Sequence, residues 1–411
     1  MTQLPNLNAG ASVPPGQTPP YWYDHPNNPF YDKTLAEYDR WLLIKDWQPI
    51  DLILGAAAAR YVPGKSIWLR IVKASGAGGT TLIQPLLADL DSKLLGSLTE
   101  ASTEGKMQGG VTVLEEFNGK RAITPDLSKI LSKRAEAKRG ILGGMRDVYD
   151  GYTATITNRS GGYETHIGQF DWFSATTASA IEGQRTLDAE LGQRFIDLRL
   201  KIEPDARKQM VQVATAIACG NMLSSRDQQL GIAVRELLQD AKGRAATGIP
   251  QVPDFILPFT TEKMNVQERI TQLGLIVPIL RSGVKRDYVH NVVNKPEIEV
   301  GTRLVECLCR LIQGITLVRG KPIATIHEYF LLLRVAADCI PSVRRQVLAQ
   351  ILKSNVTESG IMSALGFKVQ YALEDMRLLG IIDANNKLIL NLTAGMPEFP
   401  NLFSQMVIEG A

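Results

Sequence analysis

Residues 72–83 read VKASGAGGTTLI and follow a largely apolar run, SIWLRIV, at 66–72. A continuous apolar run of that length, stopped by glycines, predicts a strand buried on both faces, as in a parallel sheet. Residues 80–90 then carry apolar positions at helical spacing, so the local expectation is strand, glycine loop, helix. Residues 73–80 differ from the phosphate-loop pattern G-x-x-x-x-G-K-[ST] by one exchange: with Lys73 and Gly79 transposed they would read GASGAGKT.

Such a loop works through successive backbone amides that surround phosphates, a lysine that neutralises the outer charge and a hydroxyl that ligates magnesium. Gly76, Gly78 and Gly79 let the backbone turn tightly and expose those amides, Thr80 stands at the magnesium position and Thr81 follows it. The lysine position holds Gly79, whereas Lys73 stands first in the loop, with a stem long enough to reach inward or across to a partner subunit. The alternatives are a working ATP and magnesium site, a crippled one, and a glycine-rich turn that binds nothing.

Downstream residues supply candidates for the remaining parts. VLEEFNGKRAITPD (113–126) predicts a short helix, a turn at Asn118-Gly119 and a strand over 120–124 that reaches Asp126. An acid at a strand's end beside a phosphate loop is placed to order magnesium. Glu115 and Glu116, after the apolar VTVL, are rivals for that role. FDWFSATTAS (170–179) predicts a strand ending in hydroxyls, where a residue could orient a water or feel an outer phosphate. ELGQRFIDLRL (190–200) puts Arg194 and Arg199 near a chain reversal, where arginine suits a bidentate grip on phosphate; structural salt bridging is the plainer alternative.

Composition narrows the classes. The chain has 411 residues, 45% apolar and 21% charged, enough for two or three ordinary domains, and a net charge of +3 imposes no general demand for nucleic acid. Cys219, Cys307, Cys309 and Cys339 fit neither zinc spacing nor a disulfide framework and are expected to be reduced core thiols. His25, His166, His290 and His327 are scattered and suggest no catalytic or metal constellation. The opening MTQLPNLNAGASVPPGQTPP has neither the charge nor the apolar core of a leader, and no window reaches membrane-span length; the expectation is a cytoplasmic protein with no membrane partner.

Together the segments LEEFNGKRAITPDLSKILSKRAEAKRGILGGMRDVYDG, SATTASAIEGQRTLDAELGQRFIDLRL and EVGTRLVECLCRLIQGITLVRGKPIATIHEYFLLLRVAADCIPSVRRQVL resemble the AAA+-type P-loop ATPases of phages, plasmids and integrative elements. The likeness spans about residues 50–390, and in the lid it is similar to the minichromosome-maintenance helicase branch. It implies an α/β fold: a P-loop core with a parallel sheet over 31–205, a helical lid over 206–337 and a winged-helix domain over 338–395. A Pro- and Asn-rich tail (1–30) would precede these, and a short tail (396–411) would follow. Carried over by motif, Thr80 matches the magnesium threonine, Asp126 the Walker B acid, Thr176 or Thr177 the sensor, Arg194 the arginine finger and Arg303 of GTRL the lid's sensor arginine. The alignment of FNGKRAITPDLSKIL favours Asp126 over Glu115 and Glu116. Departures are Gly79 for the loop lysine, Lys73 for the first glycine, Pro125 before the acid and Leu127 for an aromatic. Loss of the lysine removes on the order of several kcal/mol of phosphate stabilisation in a water-poor site. A relocated lysine, a slow nucleotide-binding subunit and a silent fold kept for assembly all fit.

At the C-terminal end, Thr357 can cap a helix over 358–365, Gly366 turns the chain, 368–379 forms a candidate recognition helix and 381–390 a β-ribbon wing. Lys368, Gln370 and Arg377 are its candidate DNA contacts, opposed by Glu374 and Asp375, with Arg344, Arg345 and Lys353 on the helix before. This balance favours docking of a protein over DNA. Lys129, Lys133, Arg134, Lys138 and Arg139 could meet a phosphate backbone in a ring's pore or form a solvated helix face. The expectation is an AAA+-like, nucleotide-binding, homo-oligomeric ring or filament of a mobile element that acts on DNA. The alternative is a catalytically silent assembly or adaptor protein that docks protein partners through its winged helix.

Overall fold

The computed structural model describes residues 28–42, 46–76, 78–99, 112–157, 162–182, 193–200, 204–220, 222–256, 263–353, 357–366 and 369–390. The expected tails at 1–27 and 391–411 lie outside them. The apolar run at 66–72 forms strand β1 (Trp68–Lys73). It is followed by β2 (Ser92–Leu94), β3 (Arg121–Thr124), β4 (Tyr152–Thr157), β5 (Gly162–Ile167), β6 (Asp171–Thr177) and β7 (Phe195–Arg199). β4 and β5 pair with each other as an antiparallel hairpin. The other five build one parallel sheet in the order β2-β3-β6-β1-β7.

Alternation along the strands gives the sheet two apolar faces. Trp68, Trp172, Phe195 and Ala122 share one row, and the Trp68 ring meets Trp172 edge-on at 5.0 Å and Tyr149 at 4.9 Å. One residue along, Leu69, Phe173, Ile123 and Ile196 form the row on the opposite face. The next row on the first face holds a buried ion pair, Arg70 Nε to Asp197 Oδ1 at 2.8 Å, which ties β1 to β7. The outer edge of β7 is closed by the end of helix Ile326–Asp338: the Arg199 amide donates to the Asp338 carboxylate at 2.9 Å, and the Asp197 amide to Cys339 Sγ at 3.4 Å. An edge satisfied in this way offers no template for pairing with another chain.

The path of the chain matters for the site. From β1 it crosses to the far edge at β2, steps back through β3 and β6, and passes β1 to reach β7. The carboxyl end of β1 therefore lies at a topological switch, where the connections leave in opposite directions and a crevice opens.

One expectation about the first crossover is corrected. Residues 80–90 form a five-residue helix, Gly79–Ile83, and then a 3-10 helix, Gln84–Ala88, because Pro85 has no amide to continue the helical ladder. Arg194 directly precedes the fifth strand of the sheet, Phe195–Arg199, and Arg199 ends it.

Helices Pro29–Trp41 and Gln48–Ala59 precede the sheet, and Asn28 caps the first by accepting from the Phe30 amide at 3.0 Å. The segment expected as a helical lid, 206–337, shares one continuous core with these helices and with one face of the sheet, running from Tyr31 to Ile382. Gln48–Ala59 packs closely against Thr302–Val318, where the small run GAAAA (55–59) lets the backbones touch. A Cβ on Gly314 would collide with the Gly55 carbonyl oxygen and stand 2.7 Å from the Ala59 amide nitrogen. The C-terminal unit comprises helices Ser342–Lys353, Glu358–Leu365 and Val369–Leu378 and a bridge between Ile382 and Leu388. Among the described residues, no helix is long and apolar enough to cross a membrane.

Because backbone atoms bound that crowded spot, Gly314→Ala is expected to lower unfolding stability by about 2–3 kcal/mol, read from urea denaturation. An unchanged midpoint would show that the two helices separate freely.

Candidate functional site

β1 ends at Lys73, paired in register with Thr177 of β6, and the Leu200 amide donates to the Val72 carbonyl at 2.9 Å on the other side. The loop then rises from a strand end fixed on both edges. Gly76 and Gly78 take left-handed backbone angles (φ +77° and +73°) that side chains resist, with open space where a Cβ would be. The backbone there is bare toward solvent, the condition a phosphate needs for close approach. Gly79 is buried over Ile71 and Lys73, and Cε of Lys73 lies 3.1 Å from where a Gly79 Cβ would stand.

Thr80 Oγ1 donates to the Pro125 carbonyl at 3.0 Å, which joins the loop to the turn after β3. Thr81 is half-buried on the same helix. The next residue of that turn, Asp126, is exposed, and its carboxylate accepts from the Ser128 amide at 2.9 Å. The Leu127 amide donates to the Ala175 carbonyl at 2.8 Å, and Ser128 Oγ lies 3.2 Å from Thr176 Oγ1. Thr176 is buried, while Thr177 Oγ1 contacts Ser179 Oγ at 3.2 Å. Lys73, Gly76, Gly78, Gly79, Thr80, Asp126 and Thr176 thus gather at the carboxyl ends of β1, β3 and β6. Their donor set fits a magnesium–triphosphate group: bare amides, a cation, a hydroxyl and a carboxylate.

The rival acids do something else. Glu115 closes a capping box on helix Val113–Phe117, accepting from the Thr112 amide at 2.7 Å, and pairs with His166 at 3.0 Å. Glu116 pairs with Lys93. Neither belongs to the Asp126 turn.

Arg194 and Arg303 are brought to each other but not to the loop. Arg194 precedes Phe195, which pairs with Trp68 at the amino end of β1, whereas Lys73 ends the same strand about 17 Å away. Both arginines reach Asp150, at 3.4 Å and 3.6 Å. Arg194 also lies over the Tyr149 ring at 5.9 Å, and burial together with nearby Arg303 lowers its pKa. Arg303 is therefore placed away from its own loop, contrary to a sensor acting within one chain.

The arginines at the loop's end of the sheet are others. Arg199, the register partner of Val72, donates to the Asp338 carbonyl at 2.8 Å; Arg345 donates to its carboxylate at 2.8 Å, and Arg334 reaches Asp46 at 2.5 Å and Gln48 at 2.8 Å. Burial lowers the pKa of Arg345. Spacing had marked Arg345 only as a basic residue near the terminal helices, and Arg334 carried no signal at all.

Of the expected DNA-binding side chains in the terminal unit, Arg377 is engaged internally. Arg377 ties its helix to Glu358 and, at 2.7 Å, to Asn386. Arg344 is buried, donating to the Leu280 carbonyl at 3.1 Å and to Asp375 at 3.0 Å. Arg286, from the chain preceding Thr302–Val318, pairs with Asp375 at 2.7 Å and Glu374 at 2.8 Å and covers the Tyr371 ring at 4.9 Å. Gln370 stays exposed, and Lys368 lies outside the described residues. Arg377 and Arg344 thus both make ties within the fold.

Cys307 and Cys339 are the expected core thiols, the latter pushed up to about 12 by burial, but Cys219 and Cys309 are exposed. Among the described residues, no group of three His, Cys, Asp or Glu side chains is placed to hold a metal. No protein-family model matches the chain, and no curated protein matches it.

Arg377→Ala is expected to destabilise the terminal unit by about 1 kcal/mol, its half-exposed pair discounted for solvent, with Gln370→Ala neutral. Thermal unfolding of the two variants checks this; equal midpoints would return Arg377 to the surface.

Proposed function

We propose that the chain binds a nucleoside triphosphate with magnesium at the carboxyl ends of β1, β3 and β6, as an AAA+-like module of a mobile element acting on DNA. The observation that carries this reading is the convergence of the glycine loop, Thr80, the Asp126 turn and Thr176 at the switch point of a parallel sheet. The sequence order of loop, acid, hydroxyl strand and arginine matches the order expected of that family.

On this reading the amides of Gly76, Gly78, Gly79 and Thr80 receive the phosphates. Magnesium, when bound, supplies charge neutralisation between the outer phosphates. Thr80 would exchange its bond to Pro125 for the metal, and Asp126 would release the Ser128 amide to order the metal's water. Thr176, buried and linked through Ser128 to the same turn, is positioned to relay that rearrangement. Arg194 lies too far from its own loop to touch these phosphates, which favours a role toward the loop of a second copy in a ring or filament. Lys129, Arg134 and Arg139 are exposed near the start of helix Ala135–Asp150 and suit a phosphate backbone.

A silent assembly or adaptor protein is the second reading. It is favoured by one observation: the terminal helix presents Tyr371, 43% exposed, beside acids neutralised by Arg286, a surface better suited to protein than to DNA.

The readings separate on assembly and turnover. Light scattering is expected to show growth on addition of magnesium ATP, with hydrolysis stimulated by DNA. Arg194→Ala should leave nucleotide affinity within about twofold while lowering assembly-dependent hydrolysis by about 10³-fold. Assembly indifferent to ATP would favour the adaptor. A tenfold loss of affinity in Arg194→Ala would contradict its placement away from its own loop.

A further inference from the structure

We infer that Lys73 supplies the loop's cation from the first loop position, and that residue 79 is glycine because the Lys73 stem occupies the volume a side chain there would need. This rests on the nucleotide reading but adds a claim about two residues that the reading does not require.

The alternation of β1 puts Ile71 and Lys73 on one face, the face against which Gly79 packs. At Gly79 a Cβ would collide with Lys73 Cδ, stand 3.1 Å from its Cε and 3.4 Å from Ile71 Cγ2. The lysine stem therefore runs inward beneath the loop, not outward to a neighbouring subunit. Its ammonium follows Cε by a single bond, so the charge emerges beside the backbone of residue 79. In the standard pattern the cation starts from position 79 and the first position is glycine; here both residue types are present in exchanged places and share one volume. A lysine at 79 and a lysine at 73 could not both keep these positions. The half-buried setting of Lys73 means that its charge is only partly screened by water, so a bound phosphate would feel it more strongly than a surface lysine.

The geometry also couples the two residues. Replacing Gly79 by alanine leaves the charge in the molecule but forces the stem away from the loop. The effect of Gly79→Ala should therefore depend on Lys73 being present, a dependence measurable by a double-mutant cycle.

The experiment is equilibrium binding of labelled ATP with magnesium to the full chain, to Lys73→Ala, to Gly79→Ala, to the two combined, and to the exchange Lys73→Gly with Gly79→Lys. Circular dichroism and thermal unfolding establish that each is folded. Lys73→Ala is expected to weaken binding at least tenfold and Gly79→Ala by a similar factor. Gly79→Ala should add less than twofold in the Lys73→Ala background, and the exchange should restore affinity to within a few-fold. If the parent binds and Lys73→Ala binds equally well, the inference falls while the nucleotide reading stands. Independent, multiplicative losses would refute the shared volume. Binding only by the exchanged protein would show that Lys73 does not serve from its present position. If neither the folded parent nor the folded exchange binds, the nucleotide reading falls with it.

Discussion

Strand β1 is hydrogen-bonded along both edges and buried on both faces, and that constraint places the rest of the molecule. With β6 on one side and β7 on the other, neither end of β1 can shift without breaking a parallel ladder. The Arg70–Asp197 pair adds a cost to any slippage, since separating the two would leave a charge buried without its partner. The chain turns within a few residues of the strand's carboxyl end, between Lys73 and the helix that starts at Gly79. The left-handed glycines at 76 and 78 make that turn and leave its backbone uncovered. The same rigidity puts Arg194 at the other end of the strand, so the two chemistries separate by the strand's length.

The helices hold this arrangement by close approach. Gly55 and Gly314 bring two helix backbones into contact, and the buried cluster continues without a break from the first helix to the bridge near the C-terminal end. Motion coupled to a nucleotide would more easily arise in the short elements around the loop. There, single hydrogen bonds such as Thr80 to Pro125 and Asp126 to Ser128 hold partners that a metal would take over.

Much of this was legible in the sequence where apolar patterning alone decides the outcome. The run at 66–72 reads as a buried strand because it is largely apolar, 170–177 reads as a strand ending in hydroxyls, and Asn118-Gly119 marks the turn before β3. Apolar spacing at 80–90 carries no account of the amide missing at Pro85, so it predicts a longer helix than the one that forms. Arginines were the least legible. Arg303, Arg344 and Arg377 carried motif or charge signals, but spacing cannot tell an arginine that reaches solvent from one that anchors a carbonyl or carboxylate across the fold. Arg199, Arg334 and Arg345 meet only because the end of helix Ile326–Asp338 closes the edge of β7. The exchange of Lys73 and Gly79 was plain as letters. That the two share one volume follows only from the strand's alternation and the fold of the loop over it.

The most direct test of the central claim is amide hydrogen exchange of the full chain, with and without magnesium ATP, resolved to residues 74–82. Binding at the loop predicts slowed exchange at 76–80 and a matching change around 126–128, with the amino end of β1 unaffected. Unaltered exchange through both segments at saturating nucleotide would contradict the assignment of this loop as a phosphate site.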